Sequence, residues 1–219
     1  MKYRSAFDII GPVMIGPSSS HTAGAARIGR VARTLFEKQP KKAVISLYGS
    51  FAKTYKGHGT DLALVAGLLD FDTFDERIPM ALEIAEQASM EIIFQIEDAV
   101  TEHPNTVKLN LFDDESEFEL IGVSIGGGAI EITEINSFQL KLSGDPAILV
   151  TFNDRYGIIS SVTTILSKYR INIGHMEVSR KEKGETAIMV IEVDEKINDE
   201  VIRELTNLKD VTGVIRMVE

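Results

Sequence analysis

The sequence predicts an α+β fold in two domains, and three observations support that prediction. In the first 145 residues, helical and strand patterns follow one another without a regular repeat. The run Ser143-Gly144-Asp145-Pro146 then breaks any regular element. Beyond it the patterns follow the order β-α-β-β-α-β, which is the ferredoxin-like split βαβ unit. We therefore assign residues 1–145 to a mixed α/β domain and residues 147–219 to a ferredoxin-like domain.

The first domain begins with a short helical turn, predicted for Ser5–Ile10. A serine turn follows it, Gly16-Pro17-Ser18-Ser19-Ser20-His21-Thr22. Apolar residues recur after the serine turn at helical spacing, which predicts a helix from near Thr22 to near Pro40. Ser20 or Thr22 would cap this helix. Its other N–H groups would then favour an anion such as a carboxylate or a phosphate. The alternative is a turn that only caps the helix.

A second motif, Gly57-His58-Gly59-Thr60-Asp61, precedes another predicted helix. Between the two motifs we expect a buried strand over Val44–Tyr48 and a short helix over Gly49–Lys56. The positive end of a helix disfavours an imidazolium, so His58 should be neutral and able to accept a proton. The alternative is a histidine bonded to the backbone in a tight connecting turn.

The rest of the first domain reads as one helix and a series of strands. The helix is expected over Met80–Ala88. The strands are expected over Met90–Ile96, Val107–Phe112, Glu117–Ile125, Ile130–Ile135 and Phe138–Leu142. Three glycines, residues 126–128, separate two of these strands and would form either a sharp hairpin or a nest of N–H groups that faces an anion.

The second domain follows the split βαβ order element by element. We expect strands over Ala147–Phe152, Ile171–Val178, Thr186–Val193 and Val211–Val218. Helices are expected around Ile159–Leu166 and Val201–Leu208, between the first and second strands and between the third and fourth.

Composition excludes several classes of function. The chain has no cysteine, so it cannot form disulfides or supply thiolate ligands to zinc or an iron–sulfur cluster. It has no apolar run of 18 residues and no signal peptide, so we expect a cytoplasmic protein that does not bind membranes. The first 60 residues are basic within a chain of net charge −10, which suits an anionic substrate. The basic residues are spread out and no aromatic stacking platform lies among them, so nucleic-acid binding is disfavoured.

The segments Asn153-Asp154-Arg155-Tyr156-Gly157-Ile158 and Ile171-Asn172-Ile173-Gly174-His175-Met176 resemble the ACT domain, a small module that senses amino acids and dimerises. The resemblance implies an effector site at Asn153, Asp154 and Gly157. The usual motif has proline before the glycine, whereas Tyr156 stands here. The other role that the resemblance implies is homodimerisation by pairing of sheet edges.

The first domain resembles the beta chain of the two-subunit, iron–sulfur L-serine dehydratases. The serine turn, Gly49-Ser50-Phe51-Ala52, Gly57-His58-Gly59-Thr60-Asp61 and the three glycines carry this resemblance in the same order. It implies conversion of L-serine to pyruvate and ammonia, with a [4Fe–4S] cluster held by a separate, cysteine-bearing alpha subunit and no metal bound by this chain. With the ACT part, the resemblance covers essentially the whole sequence.

The same resemblance gives roles to the residues of the two motifs. Ser18, Ser19 and Ser20 would hold the α-carboxylate of the substrate, and Thr22 and Gly59 would line the site. His58 would be the base near the α-carbon and His21 its polar support, although the sequence does not decide between the two histidines. Thr60 would orient its neighbours or cap its helix.

Three other functions compete with this hypothesis. The same pair of domains resembles the regulatory tail of some D-3-phosphoglycerate dehydrogenases, which implies a free-standing amino-acid sensor. A hydrolase could use Ser20, His58 and Asp61, but the Gly-x-Ser-x-Gly elbow is absent from the sequence. A pyridoxal-phosphate dehydratase would need a Schiff-base lysine, and nothing marks Lys53 or Lys56 as one.

Overall fold

The computed structural model describes residues 13–217, so the helical turn predicted at Ser5–Ile10 lies outside the described residues. These residues form two compact units, which divide between Ser137 and Phe138. The structure divides the chain just before Phe138, whereas the sequence placed the break at residues 143–146. The α+β class and the split βαβ order are confirmed.

The helices of the first unit lie in the places that the apolar spacing predicts. A π-helical turn, Ser19–Ala23, continues directly into α1 (Gly24–Phe36). The others are α2 (Gly49–Thr54), α3 (Thr60–Leu68) and α4 (Ala81–Gln87). One whole face of α1 is buried, including Ile28, Ala32 and Leu35. The predicted helices are therefore present, and the first one starts at Ser19.

The first unit also contains β1 (Lys42–Tyr48), β2 (Glu91–Glu97), β3 (Thr106–Phe112), β4 (Glu117–Gly126) and β5 (Ala129–Ile135). Their order in the sheet is β2-β1-β3-β4-β5. The pairing of β1 with β2 is parallel, and the other pairs are antiparallel. Gly127 and Gly128, with φ of 64° and 84°, close a two-residue hairpin between β4 and β5. Of the two forms considered for the three glycines, the structure has the hairpin.

Two glycines let the backbones of α1 and α3 touch. A Cβ built on Gly29 would lie 2.3 Å from the carbonyl oxygen of Leu64, and one on Gly67 would lie 2.2 Å from that of Ala26. Because no larger residue fits at either position, the helices can cross at this short distance only with glycine. The N-terminal ends of the same two helices are joined by a hydrogen bond from the Thr22 hydroxyl to the His58 carbonyl oxygen, at 3.0 Å.

The second unit begins with β6 (Phe138–Leu142) and continues as β7 (Ala147–Asn153), α5 (Ile158–Lys168), β8 (Ile173–Arg180), β9 (Thr186–Val193), α6 (Asp199–Thr206) and β10 (Val211–Met217). Its antiparallel sheet has the order β10-β7-β9-β8. Leu166 of α5 and Leu205 of α6 are buried against the sheet, in one apolar core with Ile148 and Met189. On β6, the backbone N–H of Lys141 donates to the Glu177 carboxylate at 2.8 Å.

Candidate active site

The serine turn is capped by Ser18. Its backbone is extended, and its hydroxyl accepts a hydrogen bond from the His21 N–H at 3.1 Å. The expectation that Ser20 or Thr22 would cap the helix is wrong. The helix begins earlier than predicted because a π-helical turn adds residues 19–23 to its start. Gly16, with φ of 125°, is packed so closely against Thr22 that a Cβ would lie 2.3 Å from the Thr22 methyl.

His21 is bonded at both ring nitrogens. Its Nε2 lies 3.1 Å from the Ser50 hydroxyl, and its Nδ1 lies 3.4 Å from the Ser18 hydroxyl. The edge of the ring also packs against Phe51, with ring centroids 5.4 Å apart. Burial first, and the neighbouring His58 second, lower the pKa of His21 below its usual 6.5. His21 is therefore a neutral imidazole at pH 7, fixed in orientation by two hydroxyls.

The structure brings the two histidines together. The rings of His21 and His58 lie edge to face, with centroids 4.7 Å apart. The Thr22 hydroxyl donates to the carbonyl oxygen of His58 at 3.0 Å and so joins the serine turn to the second motif. The Nδ1 of His58 is buried and has no hydrogen-bond partner. His58 therefore keeps a ring nitrogen free of protein partners, whereas His21 does not.

Gly59 and Thr60 start the second helix. Gly59 occupies the position before the helix with φ of 67°, in the left-handed region that suits glycine. Thr60 is fully buried, and its hydroxyl has no partner. The side chain of Thr60 does not cap the helix, so that half of its expected role is wrong.

Ser50 and Ser124 are two residues near this site to which the sequence gave no role. Ser50 lies at the start of α2, and its backbone N–H donates to the carbonyl oxygen of Pro104 at 2.7 Å. Ser124 lies near the end of β4 beside Gly24, and its buried hydroxyl is unpartnered. The only sequence signal near Ser124 was the run of glycines that follows it.

Residues 13–217 contain no group of three His, Asp or Glu side chains placed to hold a metal ion, and the chain has no cysteine. These residues do not fit a [4Fe–4S] cluster, because thiolate is the usual ligand of such clusters. A cluster that acts with this chain would have to be held by another polypeptide. In the same part of the chain, no helix has the length and apolar character needed to cross a membrane.

In the second unit, the resemblance to the ACT domain implies an effector site at the turn after β7. The polar groups of this turn are hydrogen-bonded to other residues of the same unit. The Asp154 carboxylate accepts from the Arg180 guanidinium at 2.9 Å and from the Gly184 N–H at 3.1 Å. Those two contacts, the Gly184 N–H before Arg180, lower the pKa of Asp154. The Asn153 N–H donates to the Asp210 carbonyl oxygen at 2.8 Å, and Gly157, with φ of 87°, precedes α5. Tyr156 between them is fully exposed.

Comparison with known proteins gives a consistent result. The serine dehydratase beta chain family matches residues 5–81, and the ACT domain matches residues 147–210. The chain is 60% identical, over the full length of both chains, to the "Probable L-serine dehydratase, beta chain" of Bacillus subtilis. It is 38% identical to the L-serine dehydratase beta chain of Peptoniphilus asaccharolyticus over 89% of each chain. It is also 28% identical to a D-3-phosphoglycerate dehydrogenase of B. subtilis, over 87% of this chain but only 36% of that protein.

Proposed function

We propose a function for this chain, which belongs to the family of L-serine dehydratase beta chains. The chain supplies the substrate-carboxylate site and the base of an iron–sulfur enzyme. In this proposal a separate alpha subunit holds a [4Fe–4S] cluster, and the assembly converts L-serine to pyruvate and ammonia. The observation that carries the proposal is the pair of imidazoles, with centroids 4.7 Å apart, at the adjoining starts of two helices.

The start of the first helix suits the substrate carboxylate. The first N–H groups of a helix have no partner within the helix and carry a partial positive charge. The hydroxyl of Ser18 is occupied by His21 as the cap, which leaves Ser19 and Ser20 as the hydroxyls best placed to bind a carboxylate. Thr22 is buried and bonded to the His58 carbonyl oxygen, so it positions the second motif.

His58 is the better candidate for the base. Loss of the α-proton requires a neutral imidazole with a nitrogen that is free to accept it. Both nitrogens of His21 face hydroxyl groups, whereas Nδ1 of His58 has none. We therefore assign proton abstraction to His58 and orientation to His21.

The reaction also requires departure of the β-hydroxyl, which is a poor leaving group. An iron of the alpha subunit's cluster would supply Lewis acidity for this step when the cluster is present. Loss of the α-proton and of hydroxide removes one water from L-serine and leaves an enamine. Its imine tautomer adds water and releases ammonia and pyruvate. This chain contributes the site that binds and orients the amino acid.

Pyruvate formation from L-serine tests the proposal. The assay compares this chain alone, the cysteine-bearing alpha subunit alone with iron and sulfide, and the two together. We expect turnover only with both chains. Turnover at the full rate by the alpha subunit alone would show that this chain supplies no catalytic group.

A regulatory sensor is the second candidate function, and the similarity to part of a D-3-phosphoglycerate dehydrogenase favours it. Such a sensor would bind an amino acid without consuming it. The same assay separates the two functions, because a sensor would bind L-serine and yield no pyruvate with any alpha subunit.

We also propose that the second unit pairs with a second copy through a sheet edge. Strand β8 is an edge strand of the sheet, and Met176 and Val178 on it are exposed to 38% and 39%. Unpaired backbone groups and exposed apolar side chains make such an edge suited to pairing.

A further inference from the structure

Three buried side-chain polar atoms lack a hydrogen-bond partner within residues 13–217, namely His58 Nδ1, Thr60 Oγ1 and Ser124 Oγ. Folded proteins rarely leave buried polar groups unpaired, because each costs free energy. Two of the three belong to residues already assigned to the proposed site. The third, Ser124, has no role in it.

The backbone N–H and carbonyl groups of Ser124 are hydrogen-bonded, whereas its hydroxyl is not. Its backbone N–H donates to the Asn105 carbonyl oxygen at 3.0 Å, and its own carbonyl oxygen accepts from the Asn105 side chain at 3.4 Å. The side chain fills a notch at Gly24, where a Cβ would lie 2.2 Å from the Ser124 hydroxyl oxygen. A bulge in the pairing follows it, between Ser124 and Gly126, and bulges often re-aim side chains at functional sites.

Ser124 is linked to the histidine pair through the neighbouring turn. Asn105, which holds the Ser124 backbone, follows Pro104, and the Pro104 carbonyl oxygen accepts from the Ser50 N–H at 2.7 Å. The Ser50 hydroxyl in turn bonds to His21. On the other side of Ser124, the Ser20 hydroxyl lies 4.0 Å from a Cβ built on Gly126. Ser124 therefore lies among residues that contact the serine turn.

An alanine would keep the Cβ beside Gly24 and lose only the hydroxyl oxygen. That oxygen makes no hydrogen bond, so it gives the fold no hydrogen-bond energy. A hydroxyl can both donate to a carboxylate and accept from an ammonium group. An α-amino acid carries both of these groups.

We infer that Ser124 is a further substrate-binding residue, whose hydroxyl bonds to a polar group of an α-amino acid at the serine turn, directly or through one water. The inference rests on the proposed function, because it takes the serine turn as the site of the amino acid. Thr60, with the second unpartnered hydroxyl, acts in the same way.

The test is Ser124→Ala in the reconstituted complex of both chains. We expect the melting temperature of this chain to rise by about 2 °C, since an unsatisfied buried hydroxyl is removed. We expect the KM for L-serine to rise about tenfold, which corresponds to one hydrogen bond to a charged group. Thr60→Val should show the same combination.

The matched control is Ser46→Ala. Ser46 is also buried in a strand, but its hydroxyl donates to the Gln95 side chain at 3.1 Å. This variant should lower the melting temperature and leave the KM unchanged. A higher melting temperature for Ser124→Ala with an unchanged KM would overturn the inference, and so would a lower melting temperature with an unchanged KM. Absence of turnover in the wild-type complex would instead contradict the proposed function itself, and if titration calorimetry also detected no binding of L-serine to that complex, this inference would fall with it.

Discussion

At the scale of single residues, the surroundings of His21 show how side-chain contacts control the chemistry of this site. Two hydroxyls fix its ring, and partial burial beside His58 keeps it neutral. Burial first, and the charge of the neighbouring ring second, disfavour the protonated form of His21 and lower its pKa.

The lowered pKa of His21 predicts a pH dependence of stability. A histidine with a lowered pKa binds fewer protons in the folded than in the unfolded state. Its contribution to stability is complete above the unfolded pKa of 6.5 and is lost as the pH falls below that value. Thermal unfolding at about pH 7 and about pH 5.5 should therefore show a smaller loss of stability for His21→Gln than for the wild type. Equal losses in the two proteins would contradict this assignment.

Residue-level roles could be predicted only where the local sequence determines them. The sequence favoured Ser20 or Thr22 as the cap, whereas Ser18 is the cap of a π-helical turn whose Thr22 bonds to His58, 36 residues away. Ser124 could not be predicted, because a missing hydrogen-bond partner is a property of the folded environment. The proximity of the two histidines was expected, and the structure places their rings in contact.

At the scale of elements, the crossing of α1 and α3 positions the site. Helical and strand periodicity predicted these elements because that periodicity is local. The crossing itself was not predicted, because a glycine inside a helical pattern indicates only a weaker helix until its neighbours are known. The parallel pairing of β1 with β2 is likewise a contact between distant segments.

Gly67→Ala should separate the two helices. Its Cβ would lie 2.2 Å from the Ala26 carbonyl oxygen and 2.6 Å from the Arg30 nitrogen, and backbone atoms cannot move aside as a flexible side chain does. We expect the free energy of unfolding to fall by about 3 kcal/mol. Chemical denaturation measures this change.

Gly57→Ala is the matched control for the helix crossing. The nearest atom to a Cβ on Gly57 is the Thr54 carbonyl oxygen at 3.7 Å, which is an ordinary contact. This variant should stay within about 0.5 kcal/mol of the wild type. If Gly67→Ala proved equally stable, close contact between the two helices would not hold the site together.

At the scale of the whole molecule, the chain combines a unit that carries the proposed site with an ACT domain. Each unit has its own set of buried apolar side chains. The order β-α-β-β-α-β was predictable because each of its elements carries a strong local pattern. In the proposed enzyme a second polypeptide also contributes, and a single sequence does not contain that contribution.

The most direct test of the account is kcat/KM for L-serine of the reconstituted complex with His58→Asn, beside His103→Asn as a control. Asparagine keeps the polarity of the side chain but cannot act as a base near neutral pH. The control residue, His103, lies in the turn before Pro104, where its Nδ1 accepts a hydrogen bond from the Asn105 N–H. We expect His58→Asn to lower kcat/KM by about 100-fold to 10,000-fold while the complex still assembles, and His103→Asn to change it less than about threefold. Turnover near the wild-type rate with His58→Asn would contradict the claim that the two helix starts and their imidazoles form the catalytic site.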